Sequence, residues 1–153
     1  MVEKEKLKRI FNHEVHEGYE EEQNIRNEKN MKFSELSNKV IGAAIEVHKQ
    51  LGPGLLESTY HQCLCHELKI NHIEFKSELP MPVTYKGIKL DCGYRIDLLI
   101  EDEIIVELKS VERLMPIHDA QILSYMKIAK IKQGFLINFN VKLLKDGLKS
   151  FVF

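Results

Sequence analysis

The sequence predicts a mixed α/β (α+β) fold in which a central β-sheet is flanked by helices. Two stretches with apolar residues at helical spacing come first, several short strand-like stretches follow, and a third helix precedes a strand that is apolar on both faces. Each of these elements has an apolar side that must be buried against another element, and this order favours one mixed sheet covered by helices.

The length and composition exclude several classes of protein. A chain of 153 residues has the usual size of one domain, and its 22 basic and 23 acidic residues nearly cancel, which excludes a globally basic nucleic-acid binder. No apolar run is long enough to span a membrane, and because no apolar segment follows the charges of the amino-terminal residues, we expect no secretory signal. The chain has three cysteines, and an odd number favours a reducing compartment. Together these observations lead us to expect a cytoplasmic protein with no membrane partner.

Residues 1–30 differ from the rest of the chain. They are polar and highly charged, with only scattered large apolar residues, which predicts a helical or flexible extension. A homodimer assembled through this extension is one alternative for its role. The folded domain is expected to span residues 31–153.

Two helices are expected at the start of this domain. The first begins near Ser34, a residue type that favours the N-cap, and ends at the sequence GPG of residues 52–54. The second is expected over residues 55–69, with an inward apolar stripe that consists of Leu56, Tyr60, Leu64 and Leu68.

Strand-like residues then follow. Lys86 and Gly87 separate VTY from IKL, which indicates a two-residue hairpin turn. RIDLLI and IIVELK predict two more strands, and a third helix is expected to begin near Pro116. GFLINF suits a strand covered on both faces, and GLKSFVF suits an edge strand.

Charged residues interrupt the strands RIDLLI and IIVELK. Because side chains alternate between the faces of a strand, a three-residue turn at 101–103 places Asp97 opposite Glu107, and Arg95 opposite Lys109. The β-carbons of opposed residues are about 5 Å apart, near enough for two carboxylates to bind one cation. Like charges this close repel unless a cation lies between them, and Mg²⁺ has the required preference for oxygen ligands.

Lys109 lies on the same face as Glu107, one alternate position along the strand. Its ammonium group can therefore contact a phosphate beside the metal ion, and phosphodiester hydrolysis requires both an activating metal and a cation for the developing charge. The alternative is a solvated hairpin face on which Asp97 and Glu107 pair with Arg95 and Lys109.

Four ordered motifs carry a resemblance to a known family. Gly54, Glu57 and Tyr60 spell G-x-x-E-x-x-Y, and YRIDLLIEDEIIVELKS, HDAQILSY and GFLINFN follow it. With them the chain resembles the GxxExxY protein family of the PD-(D/E)XK nuclease superfamily over residues 33–153. The resemblance implies a restriction-endonuclease-like core of helix, three antiparallel strands, helix and strand, with Mg²⁺-dependent cleavage of DNA or RNA.

The resemblance also implies roles for particular residues. Asp97 and Glu107 correspond to metal ligands, Glu57 to the acidic residue of the first core helix, which we assign to the metal site, and Lys109 to the catalytic lysine. Ile96 stands where the superfamily name has a proline, a position that varies within the superfamily.

Further residues are candidates for contact with the substrate. Gln121 and Tyr125 match a Q-x-x-x-Y motif of the exonuclease branch, and they are neighbours on one helix face, with His118 one turn earlier. Such a face can hold an attacking water or a phosphate, or it can hold only a hydrogen-bonded pair. We assign Gln121 to the catalytic set, and Tyr125, Arg95 and His118 to substrate binding.

Together these patterns predict a metal-dependent nuclease that uses Mg²⁺ or Mn²⁺ and acts on nucleic acid, with DNA preferred to RNA. The alternative is a catalytically silent nucleic-acid-binding or protein-interaction module on a nuclease fold, since a fold alone does not establish activity. The intact set of Asp97, Glu107 and Lys109 favours the enzyme.

Overall fold

The computed structural model describes residues 34–153, so the predicted extension at 1–30 lies outside the described residues. Ser34 accepts a hydrogen bond from the Ser37 amide at 3.3 Å, which confirms it as the cap of the first helix. Within the described range, Asn38–Phe153 forms one compact unit. No helix in residues 34–153 is both long and apolar enough to cross a bilayer.

Three α-helices and seven strands make up the described chain. The helices are α1 (Glu35–Leu51), α2 (Glu57–Ile70) and α3 (Pro116–Ala129), and a short 3₁₀ helix covers Leu144–Gly147. The strands are β1 (Phe75–Pro80), β2 (Val83–Tyr85), β3 (Ile88–Leu90), β4 (Arg95–Ile100), β5 (Ile104–Lys109), β6 (Gln133–Asn138) and β7 (Leu148–Val152).

Five strands form one mixed sheet in the order β1-β4-β5-β6-β7, in which only β5 and β6 are parallel. This confirms the predicted α+β fold, with β7 at an edge. The strands β2 and β3 form a separate hairpin through Lys86 and Gly87, whose positive φ angles of 47° and 80° suit the predicted two-residue turn.

Both faces of the sheet are buried at its central strands, whereas the edge strands β1 and β7 are largely exposed. On one face, Ile105 and Leu136 pack with Ile122 and Met126 of α3. On the opposite face, the alternate residues of β5 and β6 are also buried, and α2 packs against β5. The strand β6 is buried from Gly134 to Asn138, as expected for a strand covered on both sides.

The second helix departs from its prediction at its start. It begins at Glu57 rather than at residue 55, because Leu56 takes an extended conformation at the N-cap position. Its side chain is 74% exposed, so the prediction that Leu56 belongs to the inward stripe was wrong. Tyr60, Leu64 and Leu68 are buried as predicted.

The β4–β5 hairpin has the predicted turn and register. Residues 101–103 form the turn, with Ile100 opposite Ile104 and Leu98 opposite Val106. The backbone ladder between β4 and β5 ends there, so it does not extend to the predicted pair of Arg95 with Lys109. On its other edge, β4 continues to pair with β1 as far as Arg95, which lies opposite Pro80.

The turn after β6 depends on a glycine. A β-carbon at Gly147 would collide with the backbone oxygen of Asn138, whereas a β-carbon at Gly42, inside α1, would meet nothing within 4 Å. Backbone atoms cannot give way as a flexible side chain can, so the close approach of the 3₁₀ helix to β6 requires glycine.

We therefore expect Gly147→Ala to lower the free energy of unfolding by about 1–3 kcal/mol, the usual cost of overpacking. The matched control, Gly42→Ala, should raise it by about 0.5–1 kcal/mol, because alanine favours a helix interior. Urea unfolding of both variants measures the difference. Equal stability of the two variants would contradict the contact between Gly147 and Asn138.

Candidate active site

Asp97 and Glu107 meet where the backbones of β4 and β5 stop pairing. The Asp97 amide donates to Oε1 of Glu107 at 3.1 Å, and the Leu108 amide donates to Oδ2 of Asp97 at 2.8 Å. Each carboxyl group thus accepts a backbone amide of the other strand in place of a ladder bond. The two acids lie side by side between the strands, as the predicted register requires.

Glu107 is buried, with 2% of its surface exposed. Burial, followed by the nearby charge of Asp97, raises the pKa of Glu107 from 4.5 to about 9, although Lys109 lowers it. A hydrogen bond between the two side chains also favours the protonated form. Without a cation beside it, this pair therefore retains a proton at neutral pH, and a bound cation would remove the repulsion.

The backbone at Asp97 is also unpaired on the side of β1. Ser77 pairs with Leu98, and Leu79 pairs with Ile96, but the intervening Glu78 has a φ of 50° and takes no partner in the ladder. A positive φ is uncommon for a residue other than glycine. The sheet therefore opens on both sides of Asp97.

A histidine of α2 occupies the opening between β1 and β4. His61 Nε2 donates to the backbone oxygen of Asp97 at 3.2 Å, and Ser77 Oγ lies 3.2 Å from the same nitrogen. His61 thereby connects α2 to the strand that carries Asp97. Sequence reasoning missed this histidine, since no motif relates residue 61 to residue 97.

Tyr60 holds the loop that precedes Glu57. Its hydroxyl group donates to the Gly52 oxygen at 2.6 Å and accepts from the Leu55 amide at 3.1 Å, while its ring stacks on Phe139 at 4.6 Å between centroids. Ser110 Oγ, just after β5, donates to the Leu55 oxygen at 2.6 Å. The tyrosine of the G-x-x-E-x-x-Y motif therefore has a structural role, which is to fix the start of α2.

Glu57 is the first residue of α2, where the helix dipole favours a carboxylate. Burial, followed by the charge of Asp97, raises the pKa of Glu57, while Lys109 and His61 lower it. The charges of Asp97, Lys109 and His61 therefore all act on Glu57, which lines the same cleft as Asp97.

Gln121 and Tyr125 form a pair on α3. Gln121 Nε2 donates to the Tyr125 hydroxyl oxygen at 3.2 Å. Burial raises the pKa of Tyr125, although the hydrogen bond with Gln121 lowers it. The charges of Glu107 and Asp97 raise it further. The charges of both acids therefore act on the tyrosine, whose ring is edge-on to that of Tyr94 at 6.2 Å between centroids.

Two predicted substrate contacts have other partners. His118 Nδ1 accepts the Met115 amide at 2.9 Å and so caps the start of α3. Arg95 is exposed at the start of β4, and its Nη1 lies 3.5 Å from the Glu78 oxygen. Neither side chain has a hydrogen bond to the acids.

Asn138 fixes the loop after Lys109. This residue is 1% exposed, and its Oδ1 accepts the amides of Val111 and Asn140 at 3.1 Å, while its Nδ2 donates to the Val111 oxygen at 2.9 Å. Phe139 also donates its amide to the Lys109 oxygen at 2.9 Å. The end of β5 is therefore held firmly, although the sequence showed only a polar residue within an apolar strand.

A cleft of about 700 Å³ opens beside the acids, between α2 and β1. Glu57 and Asp97 line one end of it. The rest of the lining is mostly polar and includes Ser58, His61, Gln62, Cys65, His66, Lys69, Phe75, Ser77 and Glu78. These residues come from elements that are adjacent only in the folded chain, so the sequence carried no signal for the cleft.

The donor set suits a hard divalent ion. Asp97 and Glu107 supply adjoining carboxyl oxygens, the ligand type that Mg²⁺ and Mn²⁺ prefer. Across residues 34–153, no group of three or more His, Cys, Asp or Glu side chains has the arrangement of a metal site, so Glu57 does not close such a group. Mg²⁺ often keeps several waters and needs only one or two carboxylates, so the pair is sufficient for it.

Comparison with models of known protein families identifies one that covers the candidate site. A family model described as the PD-(D/E)XK nuclease superfamily matches residues 34–151, which is most of the chain and includes all the acids and the lysine discussed above. Nothing matches the chain in comparisons with curated proteins or with solved structures. From the extent of the family match, together with the mixed sheet and its fold class, the chain belongs to the PD-(D/E)XK nuclease superfamily.

Proposed function

We propose that this protein is a metal-dependent nuclease that hydrolyses phosphodiester bonds of nucleic acid, with DNA as the preferred substrate. The observation that supports this most is the contact of two carboxyl groups, Asp97 and Glu107, at an opening in the sheet, with Lys109 two residues after Glu107 at the end of β5. Two acids in contact, one of them buried, destabilise a fold unless a proton or a cation lies between them.

In this proposal, Asp97 and Glu107 bind Mg²⁺ or Mn²⁺, and Glu57 supports the site from the start of α2. A bound ion would polarise a phosphoryl oxygen and lower the pKa of an attacking water. The backbone amides that hold the two carboxyl groups keep their oxygens in place before the substrate arrives.

Lys109 supplies the positive charge for the transition state. Its positive charge lowers the pKa of both Glu57 and Glu107. A phosphate bound at the acids would gain negative charge on its oxygens during the reaction, and a nearby cation stabilises that charge. The hydrogen bonds of Asn138 and Phe139 at the end of β5 restrict the movement of this lysine.

Gln121 and Tyr125 act as a polar pair facing the acids. In the proposal, Gln121 orients water or a substrate phosphate, because its amide still has hydrogen-bonding capacity after donating to Tyr125. Tyr125 provides a substrate contact through the same hydrogen-bonded pair. Arg95 and His118 are assigned to the outer part of the substrate path, because the hydrogen bonds they make do not involve the acids.

We expect the purified protein to cut nucleic acid when Mg²⁺ or Mn²⁺ is added, and not in EDTA. Asp97→Asn, Glu107→Gln and Lys109→Ala should each lower the rate below about 1% of wild type, since they remove metal ligands or the transition-state cation. The measurement is the cleavage rate over a panel of single-stranded, double-stranded and branched DNA and of RNA.

The chain offers matched controls. Asp102→Asn changes an exposed acid in the turn of the same hairpin, and Lys132→Ala changes an exposed lysine before β6, at the far end of the sheet. Both should retain wild-type rates. If wild type and all three site variants behave alike on every substrate, the proposed nuclease function fails.

The buried pair also makes the stability depend on pH. The pKa of Glu107 in the folded protein lies above its ordinary value of 4.5, so its stabilising contribution is complete below that value and is lost as the pH rises towards about 9. In EDTA, Glu107→Gln should therefore become more stable than wild type as the pH rises from about 5 to 9, by on the order of 1 kcal/mol or more. Thermal unfolding across this pH range measures the difference.

Added Mg²⁺ should raise the melting temperature of wild type at pH 8 and have less effect on Glu107→Gln, because a ligand stabilises the state that binds it. Glu103→Gln, an exposed glutamate in the turn between β4 and β5, serves as the control and should follow wild type. A Mg²⁺ effect of equal size in both glutamine variants would contradict a metal ion at Glu107.

A further inference from the structure

The cleft beside the acids continues away from them along α2 and β1. Its first part has a volume of about 700 Å³, and an adjoining depression of about 640 Å³ shares Lys69, Phe75 and Ser77 with it. The two together form an elongated groove that begins at Glu57 and Asp97. A groove of this shape suits a linear polymer that leaves the candidate catalytic site in one direction.

The charge of the groove does not suit a row of phosphates. Asp97 and Glu57 lie at the metal end, and among the other residues that line the first part only Glu78 and Lys69 carry a formal charge when the histidines are neutral. These two charges cancel, and the adjoining part of the groove adds the negative charge of Glu74. A surface that follows a phosphate backbone is instead rich in lysine and arginine, so the polymer would present its less charged parts to this cleft.

The lining has the chemistry that binds bases. Phe75 is a half-buried aromatic side chain in the shared middle of the groove, and Ser58, Gln62 and Ser77 offer hydrogen-bond donors and acceptors. Bases of single strands stack on aromatic rings, and their edges pair with such polar groups. His61, which contacts both Ser77 and the Asp97 backbone, connects this lining directly to the acids.

We propose that the groove binds the unpaired bases of a single-stranded nucleic acid next to the scissile phosphate, with Phe75 as a stacking platform. The proposal rests on the proposed nuclease function for the position of that phosphate. Pockets that hold single small molecules have volumes of about 300–1,000 Å³, so the first part of the groove fits one or two nucleotides. A base in a duplex is stacked and paired and must leave the helix before it can enter.

The test measures binding separately from cleavage. Lys109→Ala protein with Mg²⁺ is titrated into labelled eight-nucleotide probes, and fluorescence anisotropy follows the binding. The probes are a single strand, its duplex, and a strand of the same length without bases, each prepared as DNA and as RNA. The single strand should bind at least about tenfold more tightly than the duplex, and removal of the bases should weaken binding about 5- to 100-fold.

Variants of the groove identify the site. Phe75→Leu keeps an apolar side chain but removes the ring, and Gln62→Trp fills the cleft from the exposed face of α2. Each should weaken single-strand binding about 5- to 100-fold, without a change in thermal unfolding. Gln50→Trp is the matched control on an exposed position of α1 that does not line the groove, and it should bind as the parent protein does.

The outcomes separate the two proposals. If wild type cuts no substrate but Phe75→Leu and Gln62→Trp lose single-strand binding, the nuclease function fails and the base-binding groove stands. If the protein cuts but the strand without bases binds as well as the intact strand, the groove proposal is overturned. Equal affinity for duplex and single strand, unchanged binding by both groove variants, or no binding of any probe also overturns it.

Discussion

The arrangement of the candidate site depends on two hydrogen bonds, in which the carboxyl groups of Asp97 and Glu107 each accept a backbone amide of the facing strand. In an ordinary ladder, each amide would find a backbone oxygen, and the carboxyl groups would point away from the strand that faces them. Here each carboxyl group accepts an amide of the other strand, which brings the two acids into contact and buries one of them. The resulting repulsion is a cost to the apoprotein that a proton or a bound cation removes.

Several supports around the acids hold this arrangement in place, and each comes from a different part of the chain. Tyr60 and Ser110 fix the loop before α2, Asn138 fixes the loop after β5, and His61 contacts the open backbone of Asp97. All of these bonds are made to backbone oxygens of the interrupted sheet or its loops, and buried backbone groups require partners. The same bonds that satisfy the backbone thus position Glu57 and Lys109.

The groove follows from the same interruption of the sheet. Where Glu78 leaves the ladder, β1 and β4 no longer present a continuous surface to α2, and the space between them is lined by polar side chains. Acids lie at the inner end of the groove, and most of the lining beyond them is polar and uncharged. His61 lies between the acids and this lining, since it contacts both Ser77 and the backbone of Asp97.

The sequence by itself determined the features that depend on local spacing. The alternation of side chains placed Asp97 opposite Glu107 on the condition of a three-residue turn, which the structure has at 101–103, and helical spacing with the GPG stop was sufficient to predict α1. Only the tertiary structure decided that the ladder ends at Leu98, that Leu56 is exposed, and that α2 and β1 enclose a groove. These depend on which groups of distant segments satisfy one another's hydrogen bonds and burial, and that competition is settled by packing and cannot be read from neighbouring residues.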